Sequence, residues 1–377
     1  MEKNRINRIN LTTQWCIYLA TNIFFVCKYF PRAGFNPVLS AVLYGIIVSC
    51  LCFVYQTVIR ERLTERVARN LSIIITSGII IVIGLAIALI PATSLQVDRW
   101  SATTTFWDSL FQGIYPYGVK TYGSTNNYPS PFPVWQYLNL PFWAIGDVGW
   151  QQAFFLLVFI GAVFYYSRSW LTVLTVLFFI ILSPAYWWEV MTRSDGLSNS
   201  FLVLSTILFI QRHPIKMSDR WWLLAIIAGL LACTRLSVVI PLALYMFRPW
   251  LEADWKIKIG FVAIAFAVAF SVFAPYIFWD TETWIFLEYN PFITQTTHGN
   301  VWVLLSLVII AIIIASIPKS FYNNISISGI YLFAFMLISQ IVIVLSLDDA
   351  AFFGAHCDIS YHTLSLPYCV LALTIRE

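Results

Sequence analysis

The hydrophobic pattern of this chain is a series of long apolar runs separated by short polar segments. An apolar run of about 18 residues or more is typical of a transmembrane helix. From this pattern we predict twelve spans, at residues 12–30, 36–58, 71–92, 150–167, 169–184, 196–211, 220–234, 235–247, 259–277, 300–317, 325–346 and 360–375. The short alternating segments of a membrane β-barrel are absent, so the prediction is an all-α, polytopic transmembrane helix bundle.

Residues 131–147 are the one apolar segment that does not fit a full span. The apolar part of PFPVWQYLNLPFWAIG is short, Pro141 interrupts it and Gly146 ends it. Apolar stretches of about 10 to 14 residues are more typical of re-entrant or interfacial segments. We therefore predict a re-entrant or juxtamembrane helix here, directly after a long loop at residues 93–130.

The distribution of basic residues supports this arrangement if the chain starts in the cytoplasm. Sixteen of the 22 Lys and Arg residues then lie on the inner side and six on the outer side, whereas 11 of the 18 acidic residues lie outside. This agrees with the positive-inside rule, and the bias would largely vanish if residues 131–147 crossed the membrane. We expect both termini in the cytoplasm and a bacterial inner membrane as the location.

Composition narrows the class of protein further. Only 11% of the residues are charged and 60% are hydrophobic, whereas a soluble domain has about 25% charged residues. The net charge of +4 is small and follows from sidedness, so no nucleic-acid partner is expected. The basic N-terminus leads into a long first span without a small-residue cleavage site, so we expect that span to be retained. Residues 1–377 are expected to form a single transmembrane domain.

The predicted topology places four polar segments on the outer face, at residues 93–130, 187–199, 280–300 and 347–362. In the first, Asp98 stands where the chain leaves a span. The aromatic residues of 99–114 follow it at helical spacing, which predicts a helix lying on the membrane surface. Asp98 is then either the N-cap of that helix, which the helix dipole favours, or a catalytic base at the rim of a cavity. Asp108 is expected on a solvated face.

The second outer segment carries acids and bases four residues apart. Glu189 with Arg193, and Asp195 with Asn199, would share helix faces. An exposed Glu189–Arg193 pair would contribute only a few tenths of a kcal/mol; the alternative is a role in binding an acceptor or a cation. Arg235 opens an apolar span, where a charge is costly unless it faces a cavity or a partner.

His356 and Asp358 have a spacing that suggests metal ligands at first sight. A zinc site needs three or four ligands, and no second cluster accompanies this pair. We therefore predict no metal ligand here and assign His356 to a donor-phosphate or acceptor contact.

Five short motifs share the outer face in a fixed order. Asp98 stands in VDRW; GIYPY at 113–117 is similar to a "G-x-x-P-Y" element; YPSPFP at 128–133 takes the place of a "Y-P-P" element; RSD at 193–195 follows Glu189; and YNPF spans 289–292. Together they resemble the GT-C superfamily of membrane glycosyltransferases. YPSPFP departs from the family's strict Pro-Pro pair.

The resemblance implies a GT-C-like fold and a hexosyltransferase, mannosyltransferase-like, that works at the outer face. It would move a sugar from a polyprenyl-phosphate carrier to a glycan, lipid or protein acceptor, with inversion. A carboxylate can take the proton of the acceptor hydroxyl, and Arg or Lys can hold the leaving phosphate. The candidate catalytic residues are Asp98, Glu189 and Asp195. The candidate substrate-binding residues are Arg193, Arg235, Lys120, Tyr128, Asn199 and His356.

Two other classes of protein remain as alternatives. A flippase or transporter of lipid-linked sugars would carry charges near the midplane of several spans, but most spans here carry no acid. A polysaccharide polymerase or ligase would also use polyprenyl-linked substrates, and would rely on outer-loop arginines rather than on Asp98. The sequence leaves open whether Mg²⁺ or Mn²⁺ is required, because some GT-C members need a divalent cation and others do not.

Overall fold

The computed structural model describes residues 2–95, 97–123, 127–213, 215–296, 300–346, 351–354 and 357–375. Within these ranges the chain forms helices and turns, with no strand. The α-helices are α1 (Glu2–Tyr29), α2 (Pro37–Val54), α3 (Glu65–Leu89), α4 (Ser101–Phe111), α5 (Pro133–Ala144), α6 (Trp150–Ser167), α7 (Trp170–Ile181), α8 (Pro184–Met191), α9 (Gly196–Arg212), α10 (Trp221–Ala232), α11 (Val239–Glu252), α12 (Trp255–Ile277), α13 (Ile285–Glu288), α14 (Pro291–Thr296), α15 (Val301–Ser316), α16 (Phe321–Ser346) and α17 (Leu366–Thr374).

The helices differ widely in their ability to cross a membrane. Five of those described are long and apolar enough, namely Pro37–Arg62 (α2 with its π-helical extension), α3, α6, α12 and α16. The number rises to seven if two bent pairs, α7 with α8 and residues 285–316, each count as one span. All twelve predicted spans contain helix, but several, such as α10 with 12 residues, are shorter than the roughly 20 residues that a bilayer needs. The all-helical membrane character is therefore confirmed, and the count of twelve is not.

The bend between α7 and α8 has a local cause in the sequence. Leu182 ends α7, and the Ser183 hydroxyl then accepts a hydrogen bond from the amide of Tyr186 at 3.2 Å. Pro184 follows at the first helical position, where its missing N–H costs nothing. Because Ser183 restarts the helix in a new direction, α8 turns by 72° from α7 and carries Glu189 away from the line of that span.

The buried part of the bundle lies around α9 and α17. α6 packs along α9, α3 along α7, and α17 against α1, α9 and α16. Every residue of α17 is buried, whereas only a small share of α12 is covered by protein. In a bilayer the exposed apolar side chains of α12 would contact lipid rather than water. An apolar outer surface around a buried core is what we expect of a membrane protein.

The predicted surface helix and the predicted re-entrant helix pack on each other as α4 and α5. Trp107 of α4 is buried and its indole N–H donates to the carbonyl of Gln136 at 3.1 Å. The helix predicted within residues 99–114 is present as α4, where protein covers Phe106 and Trp107 while Phe111 stays 65% exposed. α5 has 12 residues and a rise of about 18 Å, which is too short to cross the bilayer alone.

Candidate active site

A cavity of about 940 Å³ opens between α1, the loop before α4, α8 and the segment before α17. Residues from distant parts of the chain reach it, so it forms only in the folded bundle. Its charged lining residues are Lys28, Arg32, Asp98, Arg99, Glu189, Asp195, Arg235 and Asp358. The structure thus brings together the three acids and one of the two arginines to which the sequence assigned chemistry.

Asp98 is partly buried in the cavity wall. Its Oδ2 accepts hydrogen bonds from the Thr121 hydroxyl at 3.0 Å and from the Asn127 amide at 2.9 Å. The N-cap residue of α4 is Trp100, which makes no side-chain cap bond, and Asp98 bonds to this helix only through its main-chain carbonyl. The N-cap interpretation of the Asp98 carboxylate is therefore wrong.

Arg99, the next residue, points a second charge at the same cavity. Its guanidinium forms an ion pair with Asp358, donates to the Ser360 hydroxyl at 2.6 Å and lies 5.2 Å from the centre of the Tyr361 ring. These contacts hold the first outer loop against the segment before α17. They also fix one cation next to Asp98 in the chain.

Asp195 and Arg235 form a buried ion pair with two parallel hydrogen bonds. Arg235 Nε lies 2.6 Å from Asp195 Oδ2, and Arg235 Nη2 lies 2.5 Å from Oδ1. Each side chain is only 5% exposed. Both charges are thus neutralised locally, and an isolated buried charge at either position would be costly. Arg235 is held in place from outside the pair as well, because the amides of Phe132 and Val134, at the start of α5, bind the carbonyls of Thr234 and Cys233.

Glu189 is the most deeply buried acid of the cavity, with no exposed surface. Burial raises the pKa of its carboxyl from 4.5 to about 7, an effect that the nearby Arg99 charge opposes. Its Oε2 accepts a hydrogen bond from the Leu197 amide at 3.3 Å, whereas Oε1 has no partner among the described residues. Glu189 can therefore exist in both protonation states near neutral pH.

Two cations at the end of α1 complete the cavity. Lys28 donates to the carbonyls of Gly354 and Cys357, at 3.0 and 2.5 Å. Arg32 lies 5.1 and 5.5 Å from the ring centres of Tyr29 and Trp188, which stack on each other at 3.5 Å. Over the described part of the chain, neither cation is paired with a carboxylate, in contrast to Arg99 and Arg235.

Arg193 does not line the cavity, contrary to the sequence assignment. It adopts a left-handed conformation, with φ of 53°, and turns its side chain the other way. Its Nε lies 2.9 Å from both carboxylate oxygens of Asp147, and Nη2 donates to the carbonyls of Ile87 and Ile90 at the end of α3. Arg193 thus ties the second outer loop to α3, and the predicted helix pair with Glu189 does not form, because α8 ends between the two residues.

The remaining predicted residues are distributed unevenly. Tyr128 lines the cavity and packs on Tyr289, with 5.0 Å between ring centres. Lys120 is exposed and is absent from the cavity lining. Asn199 is buried within α9 outside that lining, and its side-chain amide has no described partner. His356 lies outside the described residues.

The sequence contained an unused signal for Lys28, Arg32 and Arg99. The predicted topology placed only six basic residues on the outer face, against the prevailing bias. Four of those six line this one cavity: Lys28, Arg32, Arg99 and Arg235. Basic residues that violate the positive-inside rule therefore indicated the site better than the helical spacing of charged residues did. Among the described residues, no group of three or more His, Cys, Asp or Glu could hold a metal ion.

The comparisons with known proteins do not add to this picture. No family model matches the chain, and searches of curated proteins and of solved structures found no match.

Proposed function

We propose that this protein is a membrane glycosyltransferase that moves a sugar from a polyprenyl-phosphate carrier to an acceptor hydroxyl, with Asp98 as the general base. The observation that carries the proposal is the composition of the 940 Å³ cavity. It gathers a partly buried carboxylate with four Lys and Arg side chains at one end of an apolar helical bundle. A base together with a phosphate site is what transfer from a lipid phosphate requires.

Asp98 is a better candidate base than the other two acids. Both carboxylate oxygens of Asp195 are already occupied by the Arg235 guanidinium, so Asp195 is not free to receive the acceptor hydroxyl. Glu189 is fully buried and partly protonated near pH 7. Among the described residues, Asp98 accepts hydrogen bonds from the neutral donors Thr121 and Asn127 and forms no ion pair, so its carboxylate can face the acceptor hydroxyl.

The donor phosphate would lie against Lys28, Arg32 and Arg99. Lys28 and Arg32 have no carboxylate partner among the described residues, so a phosphate would supply the missing negative charge. In the proposed reaction the acceptor oxygen attacks the anomeric carbon while its proton passes to Asp98. The bond between that carbon and the phosphate oxygen breaks with its electron pair, and the three cations stabilise the charge that develops on the leaving phosphate.

The proposal includes a membrane orientation. The cavity would open on the outer face, with both termini in the cytoplasm and with the shorter helices completing a set of twelve spans. The clustering of four outer basic residues around the cavity supports this orientation, because a substrate phosphate gives them a reason to break the positive-inside rule. The GT-C-like arrangement is supported by the sequence motifs alone, and a bacterial inner membrane is proposed because the chain is compact.

The test is release of polyprenyl phosphate by the purified protein in detergent. A panel of polyprenyl-phosphate sugars is offered with candidate acceptors, with and without EDTA, and wild type is compared with Asp98→Asn. Asp108→Asn serves as the matched control, since Asp108 accepts a bond from the Trp143 indole outside the cavity. We expect Asp98→Asn to release polyprenyl phosphate about 100-fold or more slowly than wild type. We expect Asp108→Asn to release it at the wild-type rate. Equal release by wild type and Asp98→Asn would refute the base, and arginine-dependent release without Asp98 would favour a polymerase or ligase.

A further inference from the structure

A second cavity, of about 520 Å³, lies at the other end of the bundle. Residues 210 and 211, in the last turn of α9, line it, whereas Asp195, just before α9, lines the first cavity. α9 has 17 residues and a length of about 25 Å. The two cavities are therefore separated by most of the thickness of a bilayer core, and one phosphate group cannot occupy both.

The second cavity combines three cations with apolar walls. Lys216, Arg248 and Lys319 come from three different segments, and Glu252 is the one acid among the lining residues. The apolar lining includes Ile210, Leu244, Met246, Ile317 and Phe321. Net positive charge next to an apolar wall at the end of membrane-capable helices matches a phosphate that carries hydrocarbon chains.

Two of the cations are held in place by the last carbonyls of α15. Arg248 Nη1 donates to the Ser316 carbonyl at 3.0 Å, and Lys319 Nζ donates to the Ile314 carbonyl and, at 2.8 Å, to the carbonyl of the C-cap residue Ile317. Arg248 also pairs with Glu252, at 2.7 Å from Nε. A guanidinium has five hydrogens to donate and an ammonium has three, so both groups keep donors for a ligand. Lys216 is exposed and completes the set from the turn before α10.

We propose that this cavity binds the phosphate headgroup of an anionic phospholipid, in the leaflet opposite the candidate active site. A soluble phosphate would satisfy the same cations, but it would leave the apolar wall against water. A lipid satisfies both features at once. By the predicted topology this leaflet is the cytoplasmic one, where most of the chain's basic residues lie.

Native mass spectrometry of the full-length protein in detergent tests this proposal without any assay of transfer. The probes are phosphatidylglycerol, phosphatidylcholine with the same acyl chains, and glycerol phosphate. We expect phosphatidylglycerol to bind in preference to phosphatidylcholine, and glycerol phosphate at the same concentration not to bind. Equal binding of the two lipids, or saturation by glycerol phosphate, would overturn the assignment.

Charge variants then locate the bound lipid. Lys216→Gln, an exposed position that should fold normally, is expected to weaken phosphatidylglycerol binding about tenfold. Lys256→Gln is the matched control, because Lys256 is also exposed but does not line the cavity. Glu252→Gln removes the acid that competes for Arg248 and should strengthen binding. Equal losses in Lys216→Gln and Lys256→Gln, or weaker binding in Glu252→Gln, would show that the lipid binds elsewhere.

Discussion

The buried carboxyl of Glu189 predicts a pH dependence of stability that one substitution should remove. The substitution is Glu189→Gln, which keeps the size of the side chain. It also keeps an oxygen that can accept the hydrogen bond from the backbone N–H of Leu197. In the folded protein the pKa of Glu189 is about 7, against 4.5 for an exposed carboxyl. The folded state therefore holds the proton more tightly than the unfolded state does.

The direction of this pH dependence follows from the linkage between proton binding and folding. Because the unfolded state binds fewer protons between pH 4.5 and 7, the free energy of unfolding falls as the pH rises through this window. At pH 8, where the unfolded carboxyl is ionised, the cost of ionising Glu189 in its buried position reaches about 3 kcal/mol. Glutamine does not have this cost, so Glu189→Gln should be more stable than wild type at pH 8 and nearly equal to it at pH 5.

The assay is thermal unfolding of both proteins in one detergent from pH 5 to pH 9. The quantity to follow is the difference in melting temperature between variant and wild type, because other groups titrate equally in both. Glu61→Gln, at an exposed position, is the control and should show a constant difference. A Glu189→Gln difference that is constant across the pH range, or a variant less stable than wild type at pH 8, would refute the buried, proton-binding state of Glu189.

Three further predictions concern the charged residues around the first cavity. Arg235→Met leaves the Asp195 carboxylate buried without its partner and should lower the free energy of unfolding by about 3–5 kcal/mol, seen as a lower melting temperature; an unchanged melting temperature would mean that water screens the pair. Replacing Lys28 and Arg32 with glutamine should raise the KM for a polyprenyl-phosphate donor by about tenfold or more with little loss of stability, and an unchanged KM would place the phosphate elsewhere. Arg193→Gln should lower the melting temperature but leave that KM as in wild type, because the guanidinium lies outside the cavity; a raised KM in folded protein would return Arg193 to the binding site.

The sequence predicted the site residues best where the argument rested on topology. Counting charges on each side of the membrane put Asp98, Glu189, Asp195 and Arg235 on one face, and the structure places all four around one cavity. The same count also pointed to Lys28, because it is one of the few basic residues that the predicted topology places on the outer face. Sidedness is readable from sequence because it depends on long apolar runs and net charge, and not on local conformation.

Predictions that rested on local spacing were less reliable. A spacing of four residues relates two side chains only if the helix continues between them. α8 ends at Met191 and Arg193 is left-handed, so Glu189 and Arg193 point to different partners. Asp195 is the N-cap residue of α9, and its ionic partner, Arg235, comes from a distant segment.

The number of spans stays a prediction for a related reason. Hydropathy records that a segment is apolar, but an apolar helix of 12 residues can be buried by protein as well as by lipid. α10 has 12 residues and α17 has 9, and protein covers α17 completely. Burial inside the bundle is a property of tertiary packing, which a sliding window along the chain does not contain.

The most direct test of the central claim is a structure of the protein with a non-transferable analogue of a polyprenyl-phosphate sugar bound. We predict the phosphate within hydrogen-bonding distance of Lys28, Arg32 or Arg99, and the anomeric carbon facing Asp98 across a gap that fits an acceptor hydroxyl. The same analogue bound only in the second cavity, or with its sugar directed away from Asp98, would contradict the proposed function.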